Sequence, residues 1–158
     1  MLLSSIDPAL LLASLIVAST PILLAALGEL VVERAGVLNL GVEGMMITGA
    51  ICGFAMAVNS GSPVVGFVAA AAGGAVLALL FALLTQFALA NQVASGLALT
   101  LFGLGLSSLI GQGYVGIKPP PTTRLDLPVL SDLPFVGRVL FSHDLMVYFA
   151  LALVALVW

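Results

Sequence analysis

Apolar residues run almost unbroken along this chain, and the interruptions divide it into helical lengths. The first run, from Pro8 to Leu27, is 20 residues or about 30 Å as a helix, with Asp7 at the N-cap and Pro8 at the first helical position. Pro21 falls inside it and predicts a kink near Thr20 and Pro21. Polar residues then cluster in GELVVERAGVLNLGVEG, residues 28–44, before apolar character returns. Met45 to Val58 alone would make a helix of about 21 Å, short of a hydrocarbon core of about 30 Å, so the second span is expected to begin at Val37. That start carries Asn39 and Glu43 into the membrane, Glu43 about 9 Å below the helix start.

The turn NSGS (59–62) and Pro63 open a third helix to about residue 90, and a fourth runs over 93–111 after the polar opening NQVASG. Polarity then rises through 112–144, which holds Lys118, Arg124, Asp126, Asp132, Arg138 and Asp144, most of the prolines, and the echo of DLPV in DLPF. That stretch is expected to lie outside the hydrocarbon, with Pro119 to Pro121 as polyproline II. Residues 145–158 are apolar but short, and are expected to be a truncated fifth helix. The organisation is therefore one transmembrane domain over 1–158, with spans near 8–27, 37–58, 63–90, 93–111 and 145–158.

Composition sharpens this into a class. Of 158 residues 62% are hydrophobic and 7% charged, against about a quarter charged in soluble domains, which excludes an ordinary globular protein. Long apolar runs lack the alternation of barrel strands, so the expectation is an all-α polytopic membrane bundle with one span discontinuous near Gly36 to Gly44. The net charge of −3 without a Lys/Arg cluster argues against nucleic acid as a partner. Cys52 is the single cysteine, so no intramolecular disulfide forms, and the N-terminus has no basic n-region of a cleaved signal peptide.

Candidate chemistry is confined to a few residues. A charge inside a span costs about 2.5 to 3.5 kcal/mol, and the strong aliphatics around Glu43 offset roughly 2.4 to 4.8, so the second span needs neighbours to insert. Glu43, four residues from Asn39 on a common helical face, either serves a polar pathway or pairs with another helix. Glu29, Glu33 and Arg34 read as membrane-boundary charges or as contacts to a partner chain. Asn91, Gln92 and Ser95 either cap the fourth helix or face the pathway. Gly49 with Gly53, Gly66 with Gly74, and Gly103 with Gly111 mark close helix packing. His143 falls in the polar stretch, and the sequence holds no P-loop, dinucleotide fingerprint, catalytic set or metal-ligand spacing.

The segment ERAGVLNLGVEGMMITGA, followed by NQVASGLALTLFG, resembles permease subunits of ABC importers in the branched-chain amino acid and simple-sugar permease superfamily. Nucleoside-type members are the most similar, through the pattern ERxGVxNxGxEGxM over residues 33–46, and the resemblance corresponds to the N-terminal half of such permeases. It implies a second permease subunit, a cytoplasmic ABC ATPase that uses ATP and magnesium, and an extracytoplasmic solute-binding protein, with no cofactor and no catalysis in this chain. Taken with the polar residues, the expected site set is Asn39, Glu43, Gln92 and Ser95 lining or shaping a translocation path, in a bacterial-type plasma membrane. Basic residues weakly place the 112–144 loop inside, whereas the resemblance places it and the N-terminus outside. Two other classes stay open: a proton-coupled secondary carrier using Glu43, and a non-transporting membrane scaffold.

Overall fold

A computed structural model describes residues 8–121 and 143–158. The elements in chain order are α1 (Pro8–Arg34), α2 (Val42–Ser60), α3 (Pro63–Ala82), a π-helical turn (Leu83–Phe87), α4 (Gln92–Gly111), a 3-10 turn (Gln112–Tyr114) and α5 (Leu145–Val157). Asp7 and residues 122–142, with the DLPV and DLPF echo, lie outside the described residues. The chain forms two compact units, residues 1–28 with 122–158, and residues 29–121.

Helix α1 continues through Pro21 and does not stop at Leu27, as apolarity alone implies, but runs on to Arg34, its residues 8–28 in the first unit and 29–34 in the second. Pro21 removes one helical donor, and the hydroxyls of Ser19 and Thr20 both donate to the Ile16 carbonyl at 3.0 and 2.8 Å just before it. Ala9, Val147 and Ala150 are buried, as is His143, which the sequence places in a polar stretch.

The second unit is built on α2. Helix α2 ends at Gly61, left-handed at φ 67°, and Pro63 opens α3. The two helices therefore run antiparallel and pack closely: a Cβ on Gly53 would lie 2.9 Å from the Gly66 carbonyl, and one on Gly66 would lie 2.9 Å from the Gly53 carbonyl. Gly49 meets the Ala70 carbonyl in the same seam. Helix α4 runs parallel to α2, with Gly44 near the start of α2 against Leu99 and Thr100 in the middle of α4, and Asn59 near the end of α2 donating to the Tyr114 hydroxyl at 2.9 Å just past the end of α4. The Phe54 ring meets Tyr114 edge-on at 6.0 Å. Gly74 and Gly111 have only ordinary van der Waals neighbours at 3.6 and 3.7 Å, so the tight seams at those helices fall to Gly73 and Gly96 instead.

The second span differs from its expected bounds at both ends. Helix α2 starts at Val42, not Val37, and extends through Asn59 and Ser60, which the sequence assigns to a turn. Its 19 residues span about 28 Å, so the required length is recovered at the C-terminal end. The third segment changes from α to π geometry at Leu83 and does not reach residue 90 as helix.

Candidate functional site

Between Arg34 and Val42 the backbone leaves helical geometry, and its termination is written in the sequence. Gly36 adopts φ 82°, its N–H donates to the Glu33 carbonyl at 2.9 Å, and the Val37 N–H donates to the Val32 carbonyl at 3.2 Å. This is a Schellman motif with Gly36 at C′. Gly36 thus ends α1 and does not precede a helix start. Asn39 then closes a local turn, its Oδ1 accepting the Gly41 N–H at 2.9 Å, and Gly41 serves as the N-cap of α2.

Three side chains from two helices satisfy the backbone of this connector. The Leu38 N–H donates to Gln92 Oε1 at 2.8 Å, the Asn39 N–H donates to Glu29 Oε1 at 3.1 Å, and Thr100 Oγ1 donates to the Leu40 carbonyl at 3.0 Å. Each unpaired backbone group would cost several kcal/mol away from water, so these bonds are what permit an irregular segment here. Gly96 allows the approach, since a Cβ there would lie 2.9 Å from the backbone nitrogens of Leu40 and Gly41. Asn91 settles as a cap, its Oδ1 accepting the Ala94 N–H at 3.0 Å, which leaves Gln92 as the group that reaches the connector.

The geometry thus brings Gln92 of α4 onto Leu38, the residue before Asn39 in the connector. Asn39 is 7% exposed, and its amide nitrogen makes only a long contact, 3.6 Å, to the Met45 sulfur. Glu43 is exposed in the first turn of α2, where a carboxylate favours the positive end of the helix, and not a full turn and a half inside a span. Asn39 is not helical, so the four-residue spacing does not place it on one face with Glu43. Ser95 is half-buried in the first turn of α4, its N–H bonded to the Asn91 carbonyl. Glu33 and Arg34 are exposed, whereas Glu29 turns toward the connector. Thr100 and Gly96 carry no sequence signal beyond spacing of four on the α4 face.

Beside the connector, the last turns of α1, Met45, Phe81, Thr85 and Gln86 enclose a cavity of about 290 Å³ whose walls are almost wholly carbon. Its lining shares Phe81, Val37 and Met45 with the small core of Leu77, Phe81 and Leu99, against which Leu84 also packs. Thr85 spends its hydroxyl on the Phe81 carbonyl at 2.9 Å. Two residues past the π turn, Leu89 is held at φ 53° and redirects the chain toward the cap of α4.

Among the described residues, four helices, Pro8–Arg34, Val42–Ser60, Pro63–Phe87 and Gln92–Tyr114, are long and apolar enough to cross a membrane, and the segment between the first two is pinned by side chains in place of regular backbone pairing. The protein is a multi-pass helical membrane protein. It belongs to the family described as branched-chain amino acid transport system / permease component, whose profile matches residues 11–158. A putative glucose ABC transporter permease of Haloferax volcanii is 43% identical over 152 residues, 94% of this chain and 46% of its own. A guanosine ABC transporter permease of Bacillus subtilis is 33% identical over 172 residues, covering 99% of this chain and 51% of its own. A nucleoside ABC transporter permease of Lactococcus lactis is 26% identical over 161 residues, 94% of this chain and 50% of its own. This chain spans about half the length of these curated relatives. No solved structure matches it.

Proposed function

We propose that the chain is part of the membrane permease of an ATP-driven importer for nucleosides or simple sugars, and that the connector end of residues 29–121 contributes to the solute path. The observation that carries this is the broken segment 37–41, in which Asn39 is buried and Gln92 holds the N–H of the preceding Leu38, because transporters build solute sites where helices are interrupted and polar backbone lines a cavity. The kinship to permeases named for glucose, guanosine and nucleosides supports the solute class. Uncharged polar groups such as Asn39, Gln92 and Ser95 suit a hydroxyl-bearing solute, and Glu43, exposed at the same end, would act at the mouth of the path.

In this reading ATP and magnesium are used by a separate ATPase subunit, a second permease subunit completes the path, and an extracytoplasmic binding protein delivers the solute. The driving step is alternating access in a bacterial-type plasma membrane. Uptake of labelled nucleosides and monosaccharides by the full-length permease, reconstituted with its ATPase and binding protein, tests it. The expected result is ATP-dependent uptake that Glu43→Gln lowers several-fold. Unchanged uptake in Glu43→Gln removes Glu43 from the path, and uptake that follows a proton gradient with no need for ATP favours a secondary carrier.

A further inference from the structure

Glu29 is the one ionisable side chain of residues 29–121 that binds the connector directly, and it does so with half of its capacity. Oε1 accepts the Asn39 N–H at 3.1 Å, whereas Oε2 is fully shielded from solvent and has no hydrogen-bond partner among the described residues. A carboxylate has about four lone-pair sites, so one long bond leaves most of its demand unmet, and an unmet polar oxygen away from water is costly. Glu29 also lies five residues before the end of α1, so the connector folds back along that helix by about 7.5 Å to reach it. On the other side, Gln92 holds the neighbouring amide of Leu38 through a neutral carbonyl, a bond that carries no such unmet oxygen.

We infer that Glu29 is a positioning residue: it forms the releasable half of a two-point latch on the Leu38 and Asn39 amides, Gln92 being the fixed half, and its release is what lets α2 shift relative to α1 during transport. An interface whose two arrangements lie close in energy is what a switching element requires, and the orphaned Oε2 raises the energy of the latched arrangement toward the released one. Movement of α1 or of the connector that admits water would satisfy Oε2 and free the Asn39 N–H together. The latch rests on the proposed transport function only for the meaning of release, since the contact itself is a property of this chain.

The two substitutions of Glu29 therefore act in opposite directions on the contact. Glu29→Gln keeps an acceptor for the Asn39 N–H, so it holds the latch closed; Glu29→Ala removes the acceptor. Amide hydrogen exchange over residues 37–41 in lipid nanodiscs is expected to be about tenfold faster in Glu29→Ala and equal to or slower than wild type in Glu29→Gln, with 45–57 unchanged in both. In the reconstituted transporter both variants should lose maximal uptake rate several-fold, Glu29→Gln without a rise in KM. Unchanged exchange over 37–41 in Glu29→Ala overturns the latch, and so does wild-type uptake by Glu29→Gln with its connector still protected. If wild type takes up neither nucleosides nor monosaccharides, the solute assignment fails while the exchange comparison still decides the latch.

Discussion

Two glycines on α4 that look alike in sequence differ in what surrounds them. A Cβ on Gly103 would lie 2.6 Å from the Gly44 carbonyl oxygen and 2.9 Å from the Gly44 Cα, a backbone that has no rotamer by which to yield, whereas one on Gly105 meets nothing within 4 Å. Gly103→Ala is therefore expected to lower the unfolding free energy in mixed micelles by about 1 to 3 kcal/mol through overpacking. Gly105→Ala should be neutral or raise it by up to about 1 kcal/mol, because alanine is the better helix former. Equal effects of the two would mean that α2 and α4 do not meet at Gly44. The same distinction explains why small-residue spacing alone includes Gly74 and Gly111, where a Cβ would meet only ordinary van der Waals contact, and passes over Gly73 and Gly96, where it would meet atoms under 3.0 Å away.

Elements, in turn, begin and end where local chemistry dictates, even when length arithmetic points elsewhere. The hydrocarbon thickness requires a second span of about 20 residues, and extending it backward to Val37 is the solution that apolarity favours. Gly36 forbids that solution by ending α1 in a left-handed cap, and Asn39 then spends its side chain on the Gly41 N–H. Helix α2 gains its length past Val58, and Gly61 supplies the stop. The start of α4 is set as locally: Asn91 accepts the Ala94 N–H, so Asn91→Ala should destabilise the protein by about 1 kcal/mol in the same unfolding assay. Because Gln92 depends on that start to reach Leu38, the loss should also speed amide exchange over residues 37–41. Exchange unaffected by Asn91→Ala would show that Gln92 is positioned independently of the cap.

For residues 29–121 as a whole, the charged side chains other than Lys118 gather at one end. Parallel packing of α2 and α4 places the connector, Glu29, Glu33, Arg34, Glu43 and Gln92 there, and Asn59 with Tyr114 at the other. We propose that the charged end faces the cytoplasm and that the N-terminus and the 112–144 segment lie outside, as in the importer reading. In a Cys52→Ser background, a membrane-impermeant maleimide applied to intact cells is then expected to label Gly113→Cys, and to label Glu33→Cys only after permeabilisation. The reverse pattern would invert the orientation. Both positions are exposed, so the difference reports on sidedness and not on burial.

Composition and the lengths of the apolar runs suffice to establish a multi-pass helical membrane protein, because hydrocarbon admits few ways of satisfying the backbone. Motif residues at 33–46 and 91–103 suffice to indicate the permease family, and Gly36 and Asn91 announce their caps through residue type. The inward turn of Glu29, the outward position of Glu43 and the parts played by Thr100 and Gly96 belong to tertiary structure alone. In sequence, Glu29 and Glu43 have like neighbours, each standing between a glycine and an aliphatic residue, and only length arithmetic puts them at different depths. What separates them is a partner amide ten residues away from Glu29, brought within reach only because the chain breaks and folds back along α1. Hydrogen bonds between groups distant along the chain leave no periodicity to read, so the polar end could be found from sequence, but which of its groups face one another could not.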